Sequence, residues 1–182
     1  MEGVLLTMYQ ILKVGADIEM FLRHETGALV SAVGQIGGTK QKPRPIDNEG
    51  SALQEDNVML EFNIIPSVNE DEFRDNINKV LIHIFEELRQ KHMVVDIASS
   101  RVFPHELLNN PQAQTMGCEP DMSAWTLQEN PLINPDLLGH LRTSGGHVHL
   151  SFAVDGATPK NLHKYNIIRM LDLALGVPSI LL

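Results

Sequence analysis

Three short stretches of this chain alternate strictly between apolar and polar side chains, and their polar positions are dominated by carboxylate, amide and imidazole. In "GADIEMFL" (15–22), Ala16, Ile18, Met20 and Leu22 share one side, while Asp17 and Glu19 share the other. In "QEDNVMLEFNI" (54–64), Val58, Leu60, Phe62 and Ile64 oppose Glu55, Asn57, Glu61 and Asn63. In "GGHVHLSF" (145–152), Val148, Leu150 and Phe152 oppose His147, His149 and Ser151. Residues two apart in a strand lie on one face, about 6 to 7 Å apart along it. Each stretch therefore reads as one strand with a side for a core and a side rich in ligating groups. A solvated strand face ordinarily mixes Thr, Lys and Ser with charges of both signs. These three faces carry no Lys or Arg.

Two helices complete the frame. "NEDEFRDNINKVLIHIFEELRQKH" (69–92) sets Phe73, Ile77, Val80, Leu81, Ile84 and Leu88 on one stripe. Asn69 with Glu72 three residues on predicts a capping box. A second helix is expected over about 160–175 on Leu162, Ile168, Leu171 and Leu175, ended by Gly176. "MVVDIASS" (93–100) reads as a further strand. The stretches 34–52 and 109–136 are rich in turn residues, and the second is a long irregular insertion of the kind that often serves as a lid or specificity wall. This order predicts one α+β domain over 1–182, with a largely antiparallel sheet and its helices on one side.

Charge and composition narrow the partners. A formal net charge of -9 with no basic stripe argues against a nucleic-acid backbone as main partner. The densest basic stretch, "TKQKPRP" (39–45), is a local anion site or a solvated loop. A single cysteine, Cys118, allows no internal disulfide and suits a reducing compartment. With no apolar run of membrane length and no leader pattern, no membrane partner is expected, and a cytoplasmic location is.

If the three strands lie side by side with their polar faces turned into one hollow, Asp17, Glu19, Glu55, Glu61, His147 and His149 converge. Carboxylates a few Å apart repel strongly unless positive charge offsets them. Mg²⁺ and Mn²⁺ suit carboxylate oxygens, and Mn²⁺ accepts imidazole more readily. So many donors point to two or more ions, as used to hold a triphosphate during phosphoryl transfer.

Taken together, "GADIEMF", "GGTK…P", "QEDNVMLEFN", "GCEPD…W" and "SGGHVHLS…LGVPS" resemble the phage-type COOH-NH2 ligases (amidoligase type 2) of the glutamine synthetase and glutamate-cysteine ligase superfamily. The resemblance runs from about residue 14 to 182. It implies strands curved into a half-barrel and ATP-dependent joining of a carboxylate to an amine through an acyl phosphate, with ATP and Mg²⁺ (or Mn²⁺) as cofactors. By position it gives metal binding to Glu19, with Asp17 near it, and to Glu55, Glu61 and His147. Glu61, His147 and Arg142 are then the catalytic candidates, Arg142 as a phosphate contact. His149, Ser151, Lys40, Gly145 and Gly146 form the cofactor-binding set, the glycines by letting backbone approach a ligand closely. The substrates would be a small-molecule or peptide carboxylate and an amine, and the location the host cytoplasm if the chain is phage-encoded. A homo-oligomer is expected by analogy alone.

Other readings accompany these. "GGTK" lacks the G-K-[ST] order of a phosphate-binding P-loop, so its glycines are expected to serve a turn while Lys40 reaches a phosphate or a substrate carboxylate. Cys118 reads as a packed thiol. Asp121 and Trp125 line the substrate pocket or, for Trp125, join the core; Asp172 pairs with a buried partner or approaches the active site. An oxygenase or isomerase of cupin type would need a Glu shortly after His149, where "LSFAVDG" has none. The run "GVPSILL" reads as an unfinished apolar strand, which suggests a truncated chain favouring self-association. An inactive relative used as a binding or assembly module is the alternative to the ligase.

Overall fold

β1 (Tyr9–His24) is sixteen residues long and changes partners along its length. The computed structural model describes residues 8–115, 122–131 and 139–180. The chain forms two compact units, one of Lys13–Cys118 with Asn134–Leu150, the other of Met1–Leu12, Glu119–Ile133 and Ser151–Leu182. In the larger unit, β1 pairs with β5 (Met59–Asn63) in the register Asp17↔Asn63, Ile18↔Phe62, Glu19↔Glu61 and Met20↔Leu60. Farther on it pairs with β2 (Leu29–Val30) and with β6 (Met93–Asp96), through Leu22↔Val30 and Leu22↔Val95. β5 pairs in turn with β4 (Ala52–Asp56), and β4 with β3 (Arg44–Pro45). β9 (Gly146–Val154) joins β1, while β7 (Ser100–Val102) and β8 (Leu141–Thr143) form a separate antiparallel pair. The result is a mixed α+β fold with a largely antiparallel sheet, as the order of elements predicted, and that sheet curls strongly into a half-barrel.

The even-numbered side of β1 builds the main core. Ala16, Met20 and Leu22 pack with Leu53, Leu60, Phe62 and Ile64 of the hairpin, and with Val80, Ile84 and Leu88 of α1 (Glu70–Gln90). Each of these apart from Ala16 contributes about 1.5–3 kcal/mol on burial. α1 begins where the sequence places it: the Asn69 side chain accepts from Glu72 N at 2.9 Å. The reciprocal bond runs from Val68 N to Glu72 Oε2 at 3.0 Å, so the carboxylate caps one residue earlier than in the standard box.

A second apolar cluster closes one end of the opposite face. Phe21 and Met59 lie on the odd-numbered side, where they meet Val58, Phe103, Leu108 and Ala113. The Phe21 and Phe103 ring centroids are 5.7 Å apart. Leu108 ends α2 (His105–Leu108), and Ala113 lies in α3 (Pro111–Gln114), so the start of the expected irregular insertion is partly helical and supplies core.

Several sequence expectations are corrected. "QEDNVMLEFNI" is no single strand but a tight hairpin, with Asn57 at φ 54 in its turn and Asp56 paired to Met59. Asn and Asp tolerate that left-handed conformation because their side chains bond locally. "MVVDIASS" breaks after Asp96, and β7 starts at Ser100. The stretch 34–52 is mostly loop, and the "GGTK" glycines do serve a turn. Gly38 has φ +84, and a Cβ there would lie 2.4 Å from the Leu53 carbonyl oxygen. In the smaller unit, helix α4 (Asn161–Leu171) passes into a π-helical turn (Asp172–Gly176) and then into α5 (Val177–Ser179). Gly176 keeps helical angles and does not end the helix, and the run expected as a C-terminal strand is helical at 177–179. Leu181 and Leu182 lie outside the described residues, as do Cys118 and Asp121.

The hairpin turn is fastened by Asn57, which is buried. Its side-chain oxygen accepts from Val58 N at 2.9 Å and from Arg142 Nε at 3.0 Å, and its amide donates to Thr115 O at 2.7 Å. Asn57→Ala removes these partners and leaves a residue with a Cβ, but no side-chain bond, at positive φ. Loss of about 2–3 kcal/mol is expected in urea unfolding followed by circular dichroism. An unchanged midpoint would show that the turn holds itself.

Candidate functional site

Alternation along β1 turns Asp17 and Glu19 away from α1, and strand pairing decides what stands beside them. Glu19 faces Glu61 on β5, and Glu61 faces Gln54 on β4. On the other flank, Glu19 N donates to Gly145 O at 3.0 Å, and Gly145 N donates to Glu19 Oε2 at 2.7 Å. Gly145, Glu19, Glu61 and Gln54 thus form one row across the sheet. A second row begins with His147 and Asp17: a Cβ on Gly15 would lie 3.7 Å from that of His149, so β9 runs antiparallel with His147 across from Asp17. Asp17 pairs with both histidines, through His147 Nδ1 at 3.4 Å and through His149 Nε2. The two imidazole centroids are 6.4 Å apart.

The hairpin adds an acid the strand reading missed. Asp56 shares its side of β4 with Gln54, and carboxylate oxygens of Glu19, Asp56 and Glu61 all lie within 4.8 Å of one another. Burial pushes the carboxyls of all three up, most directly by removing water from the charged form. Glu61 is the most enclosed, at 8% exposure. Mutual repulsion adds to the effect: Asp56 and Asp17 raise Glu19, while Asp56, Glu19 and Asp17 raise Glu61. The opposing influences are the Gly145 amide and His147 on Glu19, the Gln54 amide on Glu61, and Lys40 and His147 on Asp56. The apolar cluster around Phe21, Met59 and Phe103 lies on this same side of the sheet, two residues beyond the row along β1 and β5.

The sequence-predicted residues therefore divide. Asp17, Glu19, Glu61, His147 and His149 come to one face, and Lys40 lies within electrostatic reach of it. Glu55 does not join them. It points to the other side of β4, where Oε1 accepts from Ile36 N at 3.0 Å and Gly37 N at 2.7 Å, and where Gln112 also binds it. Its place is that of a loop anchor. Arg142 is likewise occupied: besides Asn57 it donates to the carbonyls of Gly139, Leu141 and Ala113. The two glycines serve the strands. Gly145 binds Glu19, and a Cβ on Gly146 would lie 3.1 Å from the Asp17 carbonyl oxygen, so the close approach there is of β9 to β1. Ser151 is exposed and belongs to the smaller unit. In that unit Trp125, half exposed, donates from Nε1 to Asp172 Oδ2 at 2.7 Å, and Arg169 sits 5.7 Å from its ring centroid. Asp172 thus has a partner, but an exposed one, and Trp125 is not core.

Asp56 and Gln54 are the residues that sequence reasoning missed. The available signal was "DN" between two apolar runs, a turn dipeptide that splits the stretch into a hairpin. Comparison with protein-family models, with curated proteins and with solved structures finds no match to the chain.

The raised carboxyls carry a stability signature. A carboxyl whose folded value exceeds its unfolded value binds more protons when folded, so its contribution is present at low pH and is lost as pH rises. The loss starts near the ordinary carboxylate value, about pH 4, and continues until the elevated folded value is passed. Without divalent ions, Glu61→Gln is therefore expected to melt higher than the unaltered protein at pH 7.5, with the gap narrowing at pH 4.5. Thermal melts in chelator at the two pH values check this; a variant that melts lower at both would assign Glu61 a purely supporting role.

Proposed function

We propose that this chain is a divalent-cation-dependent ligase that uses ATP to join a carboxylate to an amine, on a glutamine synthetase-like half-barrel. The observation that carries the reading is the trio Glu19, Asp56 and Glu61, three desolvated carboxylates within 4.8 Å of one another beside an Asp17–histidine pair set. The donor set fits the ion such a reaction needs, because hard oxygen ligands on a sheet suit Mg²⁺ and Mn²⁺. Glu19, Asp56 and Glu61 would hold it, with Asp17 and His147 beside them. Bound there, the cation would neutralise triphosphate charge and stabilise charge on the phosphoryl group in transfer.

The side chains themselves supply position and electrostatics. A carboxylate is a poor electrophile until its oxygen is phosphorylated; an amine then attacks the acyl carbon and phosphate departs. No covalent bond to the protein is required. Asp17 holds both imidazole rings, which leaves His147 Nε2 and His149 Nδ1 as the outward nitrogens able to meet a phosphate oxygen. Lys40 offers its positive charge at the Asp56 side. The apolar cluster at the end of the row lowers the local dielectric, so each of these contacts is stronger than it would be in water.

Calorimetric titration with Mn²⁺ and then with Mg·ATP tests the reading. Saturable binding of both is expected, with ADP and phosphate released only once an amino-acid mixture supplies carboxylate and amine. Glu61→Gln should weaken Mn²⁺ binding at least tenfold. Absence of binding by either ligand would favour a binding or assembly module, and one-to-one retention of iron through purification would favour an oxygenase.

A further inference from the structure

We infer that Gln54 is a positioning residue of this site: its side-chain amide fixes the Glu61 carboxylate so that one oxygen is spent on the protein and the other is presented to a cation. The inference rests on the metal-dependent reading above and adds a residue to it. Gln54 is directly opposite Glu61 in the β4–β5 ladder, and its Nε2 donates to Glu61 Oε2. The same arrangement occurs at the other end of the row, where Gly145 N donates to Glu19 Oε2 at 2.7 Å. The row thus reads donor, carboxylate, carboxylate, donor, from β4 through β5 and β1 to the residue that precedes β9. Each outer donor binds one oxygen of its neighbour, which leaves the second oxygens of Glu19 and Glu61 outside those two bonds, and both carboxylates have an oxygen within 4.8 Å of one of Asp56.

Two physical consequences make Gln54 more than a packing residue. A carboxylate with one oxygen hydrogen-bonded cannot rotate freely, so the orientational entropy of an ion ligand is lost on folding rather than on binding. The amide also ties Glu61 to the neighbouring strand, because Gln54 stands directly opposite it in the β4–β5 ladder. Gly145 uses backbone and cannot be removed by substitution, whereas Gln54 can. Substitution of an outer partner that orients a metal ligand typically costs 10- to 100-fold in affinity.

The test compares Mn²⁺ affinity, read by electron paramagnetic resonance of the free ion, in the unaltered chain and in Gln54→Met, which keeps length and loses the donor. Gln112→Met is the control, because Gln112 serves Glu55 on the other side of β4. The expected result is a loss of roughly tenfold or more for Gln54→Met, with Gln112→Met unchanged. Circular dichroism and melting temperature establish that each variant is folded at the temperature of titration. If Gln54→Met does not fold, Gln54→Asn, which keeps the amide one methylene too short to reach, carries the comparison. Equal affinity in the unaltered chain and the Gln54 variant overturns the positioning role while leaving the metal reading intact. No Mn²⁺ binding by the unaltered chain overturns both.

Discussion

The arrangement depends on burying one side of β1 while its other side carries acid. Ala16, Met20 and Leu22 are held against α1 by a continuous core, and alternation then leaves Asp17 and Glu19 no place but the opposite face. Pairing with β5 adds Glu61, and the hairpin adds Asp56. The core around α1 thus holds together acids that would separate if their strands were free. Packing energy of several large side chains outweighs the repulsion it enforces.

That repulsion marks the candidate site. Burial withdraws water from the row, and the carboxyls respond by holding protons more tightly. Neighbouring groups oppose this only in part: Gly145 and His147 for Glu19, Gln54 for Glu61, and Lys40 and His147 for Asp56. Asp17 is differently placed, between two imidazoles. One sheet face therefore holds an all-oxygen group and a nitrogen-bearing group side by side, a combination suited to cation and phosphate together.

Residues distant from the face keep it in shape. Asn57 and Arg142 tie the hairpin turn to the segments around Ala113, Thr115 and Gly139, the latter leading into β8 and then β9, which carries both histidines. Glu55 anchors the Ile36–Gly37 turn from the other side of β4, and Gly38 allows that turn to pass against Leu53 and Arg44. Charged groups that look catalytic in a sequence serve here as struts, because a buried backbone amide or carbonyl left unbonded costs as much as a lost side-chain contact.

What the sequence by itself determined is the period of each segment and the chemistry of each side. The apolar stripe of α1 with its Asn69 cap, the alternation in 15–22 and the histidines two apart in β9 were all legible, since periodicity depends only on local backbone geometry. Which acids meet was decided only by tertiary structure. A straight strand through 54–64 would put Glu55 on the side of Glu61, but the turn at Asn57 pairs Asp56 with Met59 and so sets even-numbered residues of β4 beside odd-numbered ones of β5. Gln54 and Asp56 enter the site and Glu55 leaves it. One residue in the left-handed conformation reverses that assignment, because backbone hydrogen bonds set the register without regard to the side chains they bring together.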